Sequence, residues 1–120
     1  MSYLFDVGDE TVWMPDLRLG ALYAGMAETV GTALECPTGL IAIPGELYQI
    51  DVPAFEDFVR TVLAYREQRQ DDLVDRLLDG VLPISVLMLE RCGVSVEGRT
   101  ERERRYLAEV SGMRLRLVAP

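Results

Sequence analysis

The stretch from Asp51 to about residue 68 constrains the fold more than any other part of the chain. Asp51 is a good helix N-cap, and Pro53 suits the first turn. The apolar positions that follow share one helical face: Phe55, Phe58, Val59, Val62 and Leu63. Such a helix has to bury that face against a second layer of structure.

The second layer is predicted from two pairs of β-prone segments in the first half of the chain. Residues 3–7 and 11–13 flank turn residues Gly8 and Asp9. Residues 40–43 and 46–50 flank Pro44 and Gly45. Each pair predicts a hairpin.

Four more helices are predicted. The first runs from Asp16 to about Glu35, where Gly20, Gly25 and Gly31 weaken it but permit close packing against a neighbour. The second, from Asp71, has inward positions Leu73, Val74, Leu77, Leu78 and Val81. Residues 84–91 are apolar nearly all round and predict a central helix. Thr100 and Glu103 form a capping-box pattern, and a final strand is predicted over 113–118.

These elements predict an α+β fold in one globular domain over residues 1–120. The sheet is expected to be small and mainly antiparallel, packed against three to five helices, with helix exceeding strand. Half of the residues are apolar (49%) and about a quarter are charged (27%), which is typical of a chain that folds around a core.

Charge is distributed unevenly along the chain. Residues 1–60 hold ten acids and two arginines, whereas residues 61–120 hold ten of each, and the net charge is −8. Nucleic acid and anionic membranes are therefore not expected as partners, because both are bound through neutralised phosphate. A basic protein partner fits better. A homodimer is also predicted, in which the acidic half meets the arginine-bearing tail; an apolar interface over 84–89 is the alternative.

The chain contains no His and no Lys, which excludes Ser-His and Cys-His dyads, imidazole metal ligands and Schiff-base lysines. We predict no catalytic residue, no metal site and no cofactor. Four aspartates resemble a metal cluster, but their helical spacing predicts a solvated face: Asp71, Asp72, Asp75 and Asp79. Cys36 and Cys92 lie far apart in the sequence and are predicted to be reduced. No targeting segment or membrane span is recognised, which predicts a cytoplasmic location.

Two clusters are candidate binding sites. The first combines the only tryptophan with carboxylates: Asp9, Glu10, Trp13 and Asp16. Aromatic anchors among charges are typical of interaction surfaces. The alternative is that Trp13 is a core residue and that the acids solvate a turn. The second comprises Glu46, Tyr48 and Asp51; the alternative is the outer face of a strand followed by a helix cap.

The clusters favour a non-enzymatic binding or regulatory protein, of an immunity or accessory type, that masks a basic surface with its acidic N-terminal half. The alternative is a small cofactor-independent enzyme or small-molecule-binding domain that uses carboxylate and tyrosine groups such as Glu46, Asp51, Tyr48 or Tyr23. An enzyme is the less favoured of the two, because the commonest general base is missing.

Three segments carry a resemblance to a known family: YLFDVGDETVWMP, GLIAIPGELYQID and PAFEDFV. Together they resemble a family of small uncharacterised actinobacterial proteins, over most of the chain. The resemblance implies no activity, so the functional inference rests on the residues themselves.

Overall fold

The computed structural model describes residues 1–113, which contain four short strands and five helices. The strands are β1 (Leu4–Val7), β2 (Glu10–Trp13), β3 (Leu40–Ile43) and β4 (Leu47–Ile50). The helices are α1 (Leu17–Ala33), α2 (Val52–Arg69), α3 (Asp72–Leu78), α4 (Leu82–Arg91) and α5 (Glu101–Ser111). The predicted α+β class, with helix exceeding strand, is confirmed. The strand predicted over 113–118 falls almost wholly outside the described residues.

The four strands form one mixed sheet in the order β2-β1-β4-β3. Both predicted hairpins are present and antiparallel, and they meet along β1 and β4, which run parallel. The sheet is therefore mainly antiparallel, as predicted. The parallel contact arises because α1 lies between the hairpins in sequence and returns the chain to the opposite end of the sheet.

A β-bulge in β2 explains why two consecutive side chains are buried there. Phe5 pairs with Trp13 and Asp6 with Thr11, which leaves Val12 as the extra residue. Val12 and Trp13 are both buried.

The helix-facing side of the sheet carries an aromatic cluster. The Phe5 ring lies 5.2 Å from that of Trp13 and 5.1 Å from that of Tyr48. Tyr23 of α1 packs edge-on against both Phe5 and Trp13, which fixes α1 on this face.

The predicted apolar face of α2 is buried throughout, and α4 is central as its composition predicted. Tyr23 joins α1 to α4 through a hydrogen bond of 2.6 Å to Ser85. Because the Ser85 hydroxyl donates to the Val81 carbonyl oxygen at 2.8 Å, Tyr23 is the donor in this pair. Burial raises the pKa of the Tyr23 phenol, against the opposing effect of Ser85.

Ion pairs fasten α3 and α5 to α2. Asp75 accepts from Arg102 at 3.0 Å and lies 3.5 Å from Arg66, while Arg102 also reaches Glu67 at 3.1 Å. The Asp75 side chain is only 16% exposed, so the prediction that it belongs to a solvated face is wrong. The Thr100 cap is confirmed, since its hydroxyl accepts from the Glu103 amide at 3.1 Å.

The structure corrects the predicted orientation of α3. Leu73 and Leu77, predicted to face inward, are 80% and 73% exposed, whereas Leu78 is buried. The seven-residue helix packs on one side only, and its partners Arg66 and Arg102 draw Asp75 toward α2 and α5 instead. On α1, Leu22 is likewise 60% exposed, because Tyr23 and small residues form the buried face.

Candidate functional site

A groove of about 630 Å³ lies between α1 and α3, with α2 and the start of α4 at its base. None of its twelve lining residues is charged. The larger side chains in the lining include Leu22, Met26, Val30, Leu34, Tyr65 and Leu77. Exposed leucines beside an apolar depression are typical of a surface that another molecule covers.

Two of the twelve lining residues, Thr29 and Tyr65, carry polar side-chain groups. The Thr29 hydroxyl donates to the Gly25 carbonyl oxygen at 2.9 Å within the same helix turn, so Thr29 presents its methyl group outward without an unsatisfied donor. Tyr65 lies below the Arg69 guanidinium, 5.1 Å from the ring centroid. Covering this surface therefore removes few polar groups from water.

The glycines of α1 differ in what surrounds them. A Cβ at Gly20 would meet the Tyr3 side chain at 2.7 Å, and one at Gly31 would meet the Cys36 carbonyl oxygen at 2.7 Å. A Cβ at Gly25 would meet nothing within 4 Å. Close packing inside the chain thus accounts for Gly20 and Gly31, but no contact in the described residues requires a glycine at position 25.

Strand register places the exposed acids of the predicted sites at two opposite ends of the sheet. Asp9 and Glu10 follow β1, and Asp51 follows β4, so these three share one end because β1 and β4 are parallel. The backbone of Asp16 forms an antiparallel β-bridge with Ser2, and the backbone carbonyl oxygen of Glu46 accepts from the Leu4 amide, which places both residues at the other end. The sequence predicted two clusters, whereas the structure divides the acids of each cluster between the two ends of the sheet.

Several predicted site residues have structural roles. Trp13 is 3% exposed and belongs to the core, so of its two predicted roles the structure shows the core residue and not the surface anchor. Asp51 accepts from the Ala54 amide and Asp16 from the Leu19 amide, so both cap helices. Tyr48 is not on the outer face of its strand, because its ring stacks on Phe5. Burial, followed by Tyr3 and Glu28, raises the pKa of the Tyr48 phenol.

The charge asymmetry of the sequence persists in the structure. Among the ion pairs between described residues, the arginines of the second half bind acids of the second half, and Arg60 with Glu56 is the one pair in the first half. Asp9, Glu10 and Glu46 are exposed and take no part in these pairs. Within residues 1–113, therefore, no ion pair joins the acids of the first half to the arginines of the second half.

The acids and cysteines of residues 1–113 do not form a metal centre. This part of the chain places no three Cys, Asp or Glu side chains where they could hold a metal ion. Cys36 and Cys92 are both free, and burial raises the pKa of the Cys92 thiol. None of the described helices combines the length and the hydropathy required to cross a bilayer.

The leucine-lined groove was missed at the level of sequence. Helical periodicity predicted that Leu73 and Leu77 face inward, but periodicity cannot distinguish an apolar face that packs on the core from one that stays exposed. The sequence feature that could have indicated the groove is the row of small residues Ala21, Gly25 and Ala33 beside Leu22 in α1.

Comparison with known proteins identifies a family over nearly the whole chain. The model of a family of unknown function, DUF6086, matches residues 1–119. The predicted resemblance to an uncharacterised family is thereby confirmed. No curated protein and no solved structure gives a significant match.

Proposed function

Since the chain belongs to the DUF6086 family, whose function is unknown, we propose from its geometry that it is a non-enzymatic protein-interaction module with the leucine-lined groove as its docking surface. The observation that carries the proposal is the exposure of Leu22 and Leu77 beside an uncharged groove.

The hydrophobic effect supplies the driving force. Leu22 is 60% exposed and Leu77 73% exposed, so each leaves most of its side chain in water. Covering such a side chain is worth about 1–2 kcal/mol at about 25 cal/mol per Å². A partner segment with its own apolar face gains this energy without desolvating a charge.

The enzymatic alternative has less support from the same geometry. It requires Glu46, Tyr48, Asp51 or Tyr23 to converge on one pocket. Glu46 and Asp51 lie at opposite ends of the sheet, and the Tyr23 hydroxyl is buried against Ser85. The polar groups that would act together are kept apart.

In vivo photo-cross-linking tests the docking surface. A benzoylphenylalanine incorporated at position 22 or 77 should yield a specific cross-linked protein adduct. The same residue at position 41, which is 50% exposed in β3 and does not line the groove, is the matched control. Equal yields at all three positions would refute the proposed function, whatever the identity of the adducts.

A second candidate role, masking a basic protein surface, is favoured by the exposed acids Asp9 and Glu10, which form no ion pair within residues 1–113. Long-range attraction between such surfaces accelerates association and weakens as salt rises. Asp9→Asn with Glu10→Gln should slow binding to a basic partner at low salt, whereas Glu101→Gln, an exposed acid in the second half, is the control. If the association rates of both variants depend equally on salt, Asp9 and Glu10 do not take part in recognition.

A further inference from the structure

We infer that α3 is a separable wall of the leucine-lined groove, which opens and loses its helix while the other elements stay folded. The Asp75 latch, which is the Asp75 carboxylate bound by Arg66 and Arg102, holds it closed. What the opening regulates rests on the proposed function of the groove, whereas the opening itself is a property of the isolated chain.

Apolar packing holds α3 only weakly. Of its seven residues, Leu78 alone is buried, and Val74 is half-buried. Isolated helices need about 12–15 residues to be even marginally stable, so α3 keeps its helical form only while it is docked. A segment with so few buried apolar contacts opens at a lower free energy than the whole chain unfolds.

The other helices pack on one another without the help of α3. Helix α2 contacts α4 directly, and α5 contacts both of them. Glu67 of α2 also accepts from the Thr100 hydroxyl and from Arg102, at 3.1 Å each, at the beginning of α5. Because these contacts do not involve α3, they remain when α3 opens.

Breaks in the backbone separate α3 from both neighbouring helices. Gln70 ends α2 in the left-handed region, with a φ of 47°, and Asp71 after it is extended. On the other side, Asp79, Gly80 and Val81 form a turn before α4 begins. Helical hydrogen bonding is not continuous across either break, so unfolding of α3 can stop at residues 70 and 81.

The two ion pairs that join α3 to the rest of the described chain meet at one oxygen atom. Oδ2 of Asp75 lies 3.0 Å from Nη2 of Arg102 and 3.5 Å from Nη2 of Arg66. Both arginines also have partners outside α3. The Arg66 guanidinium lies 3.8 Å from the centroid of the Tyr106 ring, and Arg102 lies 3.1 Å from Glu67. The site that receives the carboxylate is therefore in place before α3 docks.

The same geometry limits the strength of the Asp75 latch. Oδ1 of Asp75 and Nε of Arg66 are both buried, and neither has a hydrogen-bond partner within residues 1–113. Burial of polar atoms without partners offsets part of the attraction at Oδ2. The latch therefore holds α3 reversibly.

Opening of α3 dismantles the groove. Leu77 and Leu78 line it on the α3 side, and Leu22 and Met26 line it on the α1 side. When α3 unfolds, Leu77 and Leu78 leave their positions, so only the closed molecule presents the complete groove. The Asp75 latch thereby sets the fraction of molecules that can dock a partner.

Hydrogen exchange of the purified chain, measured at low urea concentrations, tests the opening. The amides of residues 76–79 report on α3, and those of residues 86–91 report on α4. Protection factors in α3 should be about a hundredfold lower than in α4 and should depend little on urea, because only a small surface is exposed. Equal protection and equal urea dependence in the two helices would overturn the inference, since α3 would then open only with the whole chain.

Asp75→Asn tests the latch, because it removes the charge and keeps the shape of the side chain. Exchange in α3 should become about tenfold faster or more, while exchange in α4 stays as in the parent chain. The matched control is Asp72→Asn, at an exposed acid of the same helix without an ion pair in the described residues.

The Asp72→Asn control should accelerate exchange in α3 by less than about threefold at 0.15 M salt, because it changes only the interaction with the helix dipole. Equal acceleration by the two variants would refute Asp75 as the latch. Equal acceleration of α3 and α4 in Asp75→Asn would show that α3 is not separable.

A double-mutant cycle with Arg102→Gln tests the pairing itself. If Asp75 and Arg102 hold α3 together, the double variant should accelerate exchange in α3 by less than the product of the two single variants. Accelerations that multiply would show that the two residues act independently, which would refute their pairing as the latch.

Cross-linking from position 22 tests what the latch regulates. Leu22 belongs to α1 and keeps its place when α3 opens, so Asp75→Asn should lower the yield of the specific adduct at this position, and Asp72→Asn should not. An unchanged yield in Asp75→Asn would overturn regulation of the groove and leave the docking function intact. Equal yields at positions 22, 77 and 41 of the parent chain would refute the docking function, while the exchange results still decide the opening.

Discussion

Helices α3 and α4 are neighbours in sequence and both are rich in leucine, yet two of the three leucines of α3 are exposed while none of α4 is. Leu82 and Leu89 of α4 are fully buried, whereas Leu73 and Leu77 of α3 are 80% and 73% exposed. The difference comes from how many elements surround each helix. The main neighbours of α4 are α2, α5 and β2, while that of α3 is α2 alone.

The comparison shows that leucine content does not by itself identify a core helix. A helix packed on several sides buries most of its apolar residues, whereas one packed on a single side leaves some of them exposed. In this protein the uncovered leucines of α3 adjoin Leu22 of α1, so the two one-sided helices together form a surface. Four measurements test this contrast between covered and uncovered apolar residues.

The largest effect is expected at Trp13, which the sequence left open between core and surface. Trp13→Ala should lower the free energy of unfolding by about 3–5 kcal/mol, because it opens a cavity beside Phe5 and Tyr23. Urea unfolding measures the change. A loss below about 1 kcal/mol would show that Trp13 is not the core residue described here.

Leu89→Ala should cost about 2–5 kcal/mol by the same mechanism, since Leu89 is fully buried in α4. The midpoint of urea unfolding should fall with little change in slope. The conservative replacement Leu89→Met is the control and should cost less than about 1.5 kcal/mol. A loss of less than about 1 kcal/mol in Leu89→Ala would contradict the burial of Leu89 and with it the contrast with the exposed leucines of α3.

Alkaline pH should lower the free energy of unfolding, because two tyrosines are buried in the core. Burial raises the pKa of Tyr23 and of Tyr106 in the folded chain above the ordinary value near 10. The unfolded chain therefore loses these protons first, so the stability they contribute is intact below pH 10 and is lost above it. For each tyrosine the slope should rise through the ordinary pKa near 10 and approach about 1.4 kcal/mol per pH unit above it.

Unfolding free energies measured between pH 9 and pH 11, on either side of the ordinary tyrosine pKa near 10, test this slope. In Tyr23→Phe the stability should fall less steeply with pH, because the contribution of one buried tyrosine is missing. Ser85 keeps its bond to the Val81 carbonyl oxygen in that variant, so no new unsatisfied donor confuses the comparison. A slope that is identical in Tyr23→Phe and the parent chain would contradict the burial of this hydroxyl.

The smallest effect on stability is expected at Leu77. Leu77→Ala should change the unfolding free energy of the monomer by less than about 0.5 kcal/mol, because most of the side chain is already in water. The measurement uses dilute protein, where a dimer would be dissociated. A loss as large as that of Leu89→Ala would show that α3 is packed on both sides.

Local signals were sufficient for much of the fold. The Asp51 cap, the apolar face of α2, the two hairpins and the Thr100 cap were all predicted, because each depends on residues close together in sequence. The parallel contact between β1 and β4 was not predicted, since it joins segments more than 40 residues apart. The burial of Asp75 was missed for the same reason, as its arginine partners lie on other helices.

The candidate site shows the same division. The acids Asp9, Glu10, Asp16, Glu46 and Asp51 were identified by composition, but only the register of β1 and β4 reveals that they occupy two ends of the sheet. The groove was not predicted, because Leu22 and Leu77 are 55 positions apart and become neighbours only when α3 folds beside α1.

The sequence by itself determined which segments form helices and strands and where several of them begin, because caps and apolar periodicity are properties of neighbouring residues. It also determined that the first half carries the excess acid, because net charge is a sum over residues. Tertiary structure alone decided that Trp13 is covered and Leu77 is not. Exposure depends on which elements pack on each side of a residue, and that arrangement is fixed by contacts between distant parts of the chain.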